Sequence, residues 1–302
     1  HIRGDHYLSS SDQIMARVSW TKTDDVNRSI ALNGQTTRNK HRSGVVGWTR
    51  TFSPNLLNDL RFSATDYNFN LLPDGLGTNY AEQLGLPSYA TNPGIVRHPT
   101  ISVTNIAGAG GADTIPLFRR EVFYQLVEAM TYVRGKQTVK FGGDIRLYRS
   151  NNFQPQSAMG QYSFTGAFTG QRGRVYPNGF GDLLLGLPLS QRILIPISYD
   201  ATRINNNRVN LYVQDDIQMH PKLTLNLGLR WERDGNWKEA LNRWAYLDFS
   251  TGEVVYPKSL TIPFRLPYAH RYEEIGSMKP PTNHAFAPRV GLAWRPFGGN
   301  RT

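Results

Sequence analysis

The sequence predicts an all-β protein: an antiparallel transmembrane β-barrel segment of about eight strands with long extracellular loops. Three observations carry this. Apolar and polar residues alternate over long stretches, the two-residue side-chain period of a strand. These stretches match the roughly nine to eleven residues a tilted strand needs to cross a bilayer, beyond the roughly five or six of an ordinary strand. Long and short connections between them strictly alternate, the asymmetry of outer-membrane barrels, whose turns are short at one end and long at the other.

The clearest pair lies between Arg203 and Asp234. Leu223, Leu225, Leu227, Leu229 and Trp231 alternate with Thr224, Asn226, Gly228 and Arg230. Before them Val209, Leu211 and Val213 alternate with Asn210, Tyr212, Gln214 and Asp216, and Pro221 marks the tight connection. Upstream, Ile14, Ala16, Val18 and Trp20 share one face of a strand over Gln13–Lys22. Ser43–Phe52 places Val46, Trp48 and Phe52 together; Asn58–Asn68 points Leu60, Phe62 and Ala64 outward. Over Arg120–Val133 the phase is ambiguous, because Val122/Tyr124/Leu126 and Phe123/Val127/Ala129 are both apolar. Thr138–Arg149 presents Val139, Phe141, Ile145 and Leu147, and Pro288–Arg295 presents Val290, Leu292 and Trp294. The short connections are Ser53–Leu57, Arg134–Lys136 and His220–Pro221. The long ones are Thr23–Arg42, Asn70–Leu117, Ser150–Thr202 and Trp237–Ala285.

Composition bounds the alternatives. A hydrophobic content of 39% suits a barrel, where alternate residues face lipid and the lumen is polar. No apolar run of about eighteen residues encodes a transmembrane helix. Without cysteine there is no disulfide framework, iron–sulfur cluster or cysteine-based zinc site. The net charge of +11 admits contact with nucleic acid or with an anionic surface such as lipopolysaccharide. The densest basic cluster, Arg38-Asn39-Lys40-His41-Arg42, lacks interleaved aromatics for base stacking, so no nucleic-acid partner is expected and dispersed solvation is the plain reading. No signal peptide opens the sequence and it stops directly after a strand, so residues 1–302 are read as part of a barrel domain, with a plug and further strands lying elsewhere.

Catalytic patterns are poor. Ser19-Trp20-Thr21-Lys22 matches S-x-x-K but sits in a strand without the partner motifs of serine β-lactamases. The glycines at Gly75-Leu76-Gly77 and Gly108 to Gly111 lack the strand–turn–helix setting of a dinucleotide site. The histidines lack zinc spacing, and Arg3-Gly4-Asp5 is too short a match to the cell-adhesion tripeptide to carry meaning. Asp215-Asp216 and Glu232/Asp234 are read as strand-end carboxylates rather than a glycosidase pair. Neither enzyme activity nor a cofactor or metal is expected.

Several stretches together resemble TonB-dependent outer-membrane receptors, particularly the Oar-like receptors with large loops. LYVQDDIQMHPKLTLNLGLRWE, from Leu211 to Glu232, is similar to paired barrel strands of that family. Gly135–Asp144 resembles its turn-and-strand segment before a large loop, Gly179–Pro188 a recurrent segment within that loop, and Phe286–Trp294 the following strand. The plug domain with its TonB-contacting box and the final aromatic-ended strand are not in this sequence. The resemblance implies a receptor that binds a scarce substrate with loops and lumen and admits it when the TonB complex acts on the plug. Siderophores, oligosaccharides and peptides are all open as substrates. A passive porin or adhesive barrel and a soluble β-sandwich remain alternatives.

Candidate residues follow from phase and position. Lys140, Asp144, Arg146, Asp216, Arg230 and Arg289 are expected in the lumen, paired with each other, touching a plug or hydrated. Trp20, Phe52, Tyr132, Tyr148, Trp231 and Trp294 are candidates for aromatic girdles at the membrane interfaces, set against ordinary strand-core packing. Tyr80, Tyr89, Tyr162, Phe164, Phe168 and Tyr176 are loop aromatics able to stack on sugars or other flat ligands, or to pack the loops themselves. Gly179–Pro188 is read as a short apolar helix that packs rather than binds. Expected partners are outer-membrane lipid and lipopolysaccharide, the TonB complex through a plug, and an unknown substrate.

Overall fold

The computed structural model describes residues 1–86, 92, 94–170, 178–194, 200–262, 265–277 and 282–295. In chain order the elements are β1 (Ile2–Tyr7), β2 (Asp12–Asn27), β3 (Gln35–Ser53) and β4 (Leu56–Pro73). A long connection holding α1 (Tyr80–Gln83), β5 (Thr100–Val103) and β6 (Ile106–Ala109) leads to β7 (Leu117–Arg134) and β8 (Gln137–Phe153). The next holds β9 (Gln161–Phe164), α2 (Phe180–Leu184) and β10 (Ser190–Arg192), then come β11 (Thr202–His220) and β12 (Leu223–Asp234). The last holds β13 (Lys238–Glu239), β14 (Tyr246–Asp248), β15 (Glu253–Pro257) and β16 (His270–Glu273), before β17 (Thr282–Trp294).

The long strands form a single antiparallel sheet in the order β1-β2-β3-β4-β7-β8-β11-β12-β17, with β13 paired onto β11. The eight strands expected from alternation are all present; β1 adds an edge strand, and the sheet is open between β1 and β17. Neighbours connect through short turns at one end: residues 8–11, Pro54-Asn55, Gly135-Lys136 and Pro221-Lys222. Gly135 has a positive φ of 58°, which a tight two-residue turn requires. Every long connection lies at the opposite end, as the alternation predicts.

One expected long connection is shorter than predicted. Thr23–Arg42 does not form a loop: β2 runs to Asn27 and β3 resumes at Gln35, in continuous register with β4 as far as Gln35↔Pro73. Apart from Val26 the strand side chains there are polar on both faces, so period-two hydropathy no longer reports the strand although the backbone ladder continues.

Register fixes the two faces. One face carries Val18, Gly44, Ala64, Tyr124 and Leu147 in one cross-strand row, and Ala16, Val46, Phe62, Leu126, Ile145 and Val209 in the next. Leu211, Trp231 and Phe286 continue it at the far side. These apolar side chains are exposed: Leu211 by 52%, Phe62 by 47%, Val290 by 78%. The ambiguous phase of β7 resolves to Val122, Tyr124 and Leu126 on this face. Glu128 shares it, hydrogen-bonded to Asn58 across the strands. The other face is mainly polar, with Phe123, Val127 and Ala129 of β7 on it.

The long connections build small modules with cores of their own. The parallel pair β5–β9 joins two successive connections into the sheet β10-β9-β5-β6, where Val103, Tyr162 and Phe164 are buried together. Ala81, Ile95, Val96, Ala158 and Met159 form a second core. The third module is β14-β15-β16.

Candidate functional site

On the polar face, directly below the long connections, β8, β11 and β12 bring charged side chains into one concavity of about 360 Å³ lined by Arg146, Arg208, Asn210, Arg230, Glu232 and Asp234. Alternation puts each of these residues on that face, and cross-strand register sets Arg208 opposite both Arg146 and Asp234. Three of the four lining arginines hold a carboxylate, Arg146 Nε to Asp144 at 2.7 Å, Arg208 Nε to Asp234 at 2.9 Å and Arg230 Nε to Glu232 at 2.6 Å. The fourth, Arg233, donates to Asn283 Oδ1 at 3.0 Å. Asn210 Nδ2 donates to Asp144 at 2.9 Å.

Beside the arginines lies an aromatic wall. Phe123 and Tyr148 approach to 4.8 Å between ring centroids, and Trp237, just beyond β12, meets Tyr148 at 5.8 Å. The Arg208 guanidinium stands 6.0 Å from the Trp237 ring centroid, at the outer range of a cation–π contact. Tyr148 Oη donates to Glu121 at 3.0 Å. Nearer the short-turn end, Lys140 pairs with Asp216 at 3.4 Å, and Gln214 donates to the same carboxylate at 3.0 Å.

All six expected lumen residues therefore fall on the polar face. Arg146 and Arg230 line the concavity with Asp144 bound to Arg146; Lys140 and Asp216 form a separate pair; Arg289 lies across from Gly228 on β17. The expected girdle residues divide. Trp20, Tyr132, Trp231 and Trp294 share the apolar face, and Trp231 Nε1 donates to the Asn283 carbonyl at 2.8 Å. Phe52 sits at the irregularity between Thr51 and Ser53, beneath the Arg50 guanidinium at 5.0 Å. Tyr148 departs from expectation. It belongs to the even phase of β8 with Lys140 and Asp144, so it faces the polar side and stacks in the aromatic wall.

The loop aromatics divide as well. Tyr162 and Phe164 are buried in the β5–β9 module, so they pack the loop rather than face a ligand. Tyr80 lies against His98 at 5.4 Å, and Phe168 is exposed. Tyr89 and Tyr176 lie outside the described residues. In Gly179–Pro188, α2 packs Leu183 on the module core, whereas Leu184, Leu185 and Leu187 remain exposed, so the segment packs with one side alone. Sequence reasoning missed Phe123, Arg208 and Trp237. Arg208 follows Asn205-Asn206-Asn207 outside the clean alternation, and Trp237 reaches the site from a loop.

Buried charges hold the loops in shape. Asp182 is fully buried and accepts from Gly166 N and Thr169 N at 2.8 Å and Thr169 Oγ1 at 2.7 Å. Burial pushes its carboxyl pKa up, but hydrogen bonds from Thr169, Phe168 and Gly166 outweigh this and hold it below the ordinary range. Arg97, also buried, donates to the carbonyls of Ile115, His98 and Ala112 at 2.8, 3.0 and 2.9 Å. Burial pulls its pKa down to about 10, which leaves it charged at neutral pH. Among the described residues, no three His, Asp or Glu side chains group to hold a metal ion.

The arrangement can hold a solute by charge-assisted hydrogen bonds and by stacking on aromatic faces, the two interactions that orient polar ligands in concave sites. Arg146, Arg208 and Arg230 are already paired, so an anionic ligand that engages them has to displace a carboxylate, whereas Arg233 holds, among the described residues, only the amide oxygen of Asn283.

A family model described as "Outer membrane beta barrel domain" matches residues 1–302. Among solved structures, the outer membrane transporter YddB from Escherichia coli is similar at a TM-score of 0.45 and 11% identity, over 78% of this chain and 27% of that one. No curated protein matches.

Proposed function

The chain belongs to the outer-membrane β-barrel domain family, and on that premise we propose that it is barrel wall and loops of a TonB-dependent receptor of the Oar-like kind. In this reading the apolar face meets lipid, the polar face lines the lumen, and the long connections are extracellular. A scarce solute is gathered by the loops, meets the wall formed by Arg146, Arg208, Arg230, Tyr148 and Trp237, and passes inward when the TonB complex moves a plug. The role is binding and passage, with no catalytic step.

The observation that carries the reading is the position of the charged and aromatic wall immediately beneath the loop end of the polar face. A solute descending from the loops reaches those side chains first.

The test uses the full-length protein in its own outer membrane. Ligand-dependent uptake should stop when the TonB complex is deleted, and Arg208→Ala with Trp237→Ala should weaken binding without loss of the folded barrel. A steady conductance through the purified protein in planar bilayers, unaffected by TonB, would instead make it a passive pore and overturn the proposal.

A further inference from the structure

The basic cluster around Lys40 gains a meaning in the fold that its spacing alone does not supply. Lys40 and Arg42 alternate with Asn39 and His41, so both project from the apolar face rather than from the polar one. Cross-strand register then assembles two rows just above the apolar band at the long-connection end. One runs Trp20, Arg42, Asp66, Val122, Arg149; the next runs Lys22, Lys40, Asn68, Arg120, Asn151, Arg203. Six cations face one carboxylate in these rows. Near the short-turn end the same face holds Asp12, Glu128 and Asp215 against Arg50 and Arg134, so the charge belongs to one end only.

Below this belt the face is hollowed. Val18, Gly44 and Ala64 form a low floor between the taller Trp20 and Tyr124, and the groove measures about 580 Å³, the size of a ligand site. Arg42 and Arg120 stand at its upper lip, where Asp66 accepts from Arg120 Nε and Nη2 at 2.9 and 3.1 Å. Lys22 and Lys40 are direct cross-strand partners, a like-charge arrangement that costs stability unless an anion lies between them. Lys22 reaches Asp24 at 3.0 Å, while Lys40 and Arg149 make no ion pair among the described residues. A groove with an apolar floor and a cationic lip fits an amphiphile with acyl chains below and phosphate above.

We infer that this face of β2, β3, β4 and β7 is a docking site for one phosphorylated, multiply acylated glycolipid of the surrounding leaflet. Its acyl chains lie over Gly44 and Ala64, and its phosphates sit between Lys40, Arg42 and Arg120. The inference rests on the apolar face meeting lipid; it is independent of what the lumen carries and of TonB.

The test compares the full-length protein, purified from outer membranes in detergent, with two variants chosen to attack different halves of the site. Lys40→Glu with Arg42→Glu removes the anion's partners. Gly44→Trp fills the groove; a Cβ built at Gly44 meets nothing within 4 Å, so the new side chain leaves the backbone into open space. Arg17→Glu on the opposite face is the control, and resistance of the unboiled band to detergent reports folding in each case. Native mass spectrometry should find the glycolipid retained by the parent and the control, and both variants should bind it at least about tenfold more weakly, the scale of one lost charge-assisted contact. Removing the lipid's phosphates should weaken binding to the parent comparably. Retention unchanged in both folded variants overturns the inference. So does equal binding of the dephosphorylated lipid, or inorganic phosphate bound as tightly as the lipid. Loss in the charge variant alone overturns the groove as the seat of the acyl chains.

Discussion

The sheet and the loops solve the burial problem in opposite ways. Among the described residues, ten of the eleven buried apolar side chains other than proline, Ile95, Met159, Tyr162, Phe164 and Val255 among them, lie in the long connections; Leu117, the first residue of β7, is the other. The long strands instead display Leu211, Phe62, Val290 and their neighbours outward. In water such a wall is unfavourable by about 25 cal/mol per Å² of apolar surface. In a bilayer it carries no such penalty. The first two large loops close around cores of their own, and the sheet is built for a different solvent on one face.

That contrast is broken most sharply by a charge on the apolar face. Leu211→Arg should destabilise the full-length barrel by about 2–4 kcal/mol, the cost of a cation near the bilayer midplane. Gln214→Arg, on the polar face of the same strand, should cost far less. Denaturant unfolding in vesicles measures both; equal costs would mean that the apolar face does not meet lipid.

The matching experiment in the loops is Arg97→Met. It leaves the carbonyl oxygens of Ile115 and His98 without the Arg97 donor, at a cost of about 1–3 kcal/mol for each buried group left unpaired, while the Ala112 carbonyl keeps the Ile115 N–H at 3.3 Å. Hydrogen exchange should quicken around β5 and β9 while β7 and β8 stay protected. Loss of protection throughout the sheet would show that loops and barrel unfold as one unit.

The module β14-β15-β16 offers a pH-dependent version of the comparison. Arg271 reaches Asp248, Glu253 and Glu273 at 2.6, 2.8 and 2.7 Å. Hydrogen bonds from Ser250 and from Arg271 hold the Asp248 carboxyl well below the ordinary carboxylate range. A carboxylate with a depressed pKa in the folded state contributes stability above its unfolded pKa of about 4, and loses it as pH falls further. Protection of β15 amides should therefore fall below about pH 4, before that of the long strands, and Arg271→Ala should reduce the difference to the part that Ser250 holds.

How far the sequence disclosed this architecture differs between the same two regions. Strands such as β8, β11, β12 and β17 were legible because one face is apolar and the other polar along most of their length. Legibility failed where that contrast is absent. Apart from Val26 the extensions of β2 and β3 are polar on both faces, and β1 is a short edge strand in which Arg3, Asp5 and His6 obscure the period. In β7 the apolar residues of both faces, and Glu128 on the apolar face opposite Leu60, hide the phase. The loop modules were not legible, since β5 pairs with β9 across two intervening long strands, and nothing local distinguishes buried Tyr162 from exposed Phe168. The aromatic wall draws Phe123, Tyr148 and Trp237 from three separate segments, so it too exists only once the strands are in register.

The smallest expected effect sharpens what the polar face is for. Lys140 and Asp216 sit 3.4 Å apart, with side chains 45% and 26% exposed, and Gln214 shares the carboxylate. A pair so hydrated contributes below about 1 kcal/mol, because water and salt screen the attraction and holding a long lysine side chain costs entropy. A double-mutant cycle with Lys140→Ala and Asp216→Ala in the full-length barrel should give a coupling energy within that bound, shrinking further as salt rises. The same cycle read by solute binding should leave affinity unchanged, since the pair lies below the wall of Arg146, Arg208 and Arg230. A large coupling in binding with none in stability would place solute contact deeper along the polar face than the loop-proximal wall.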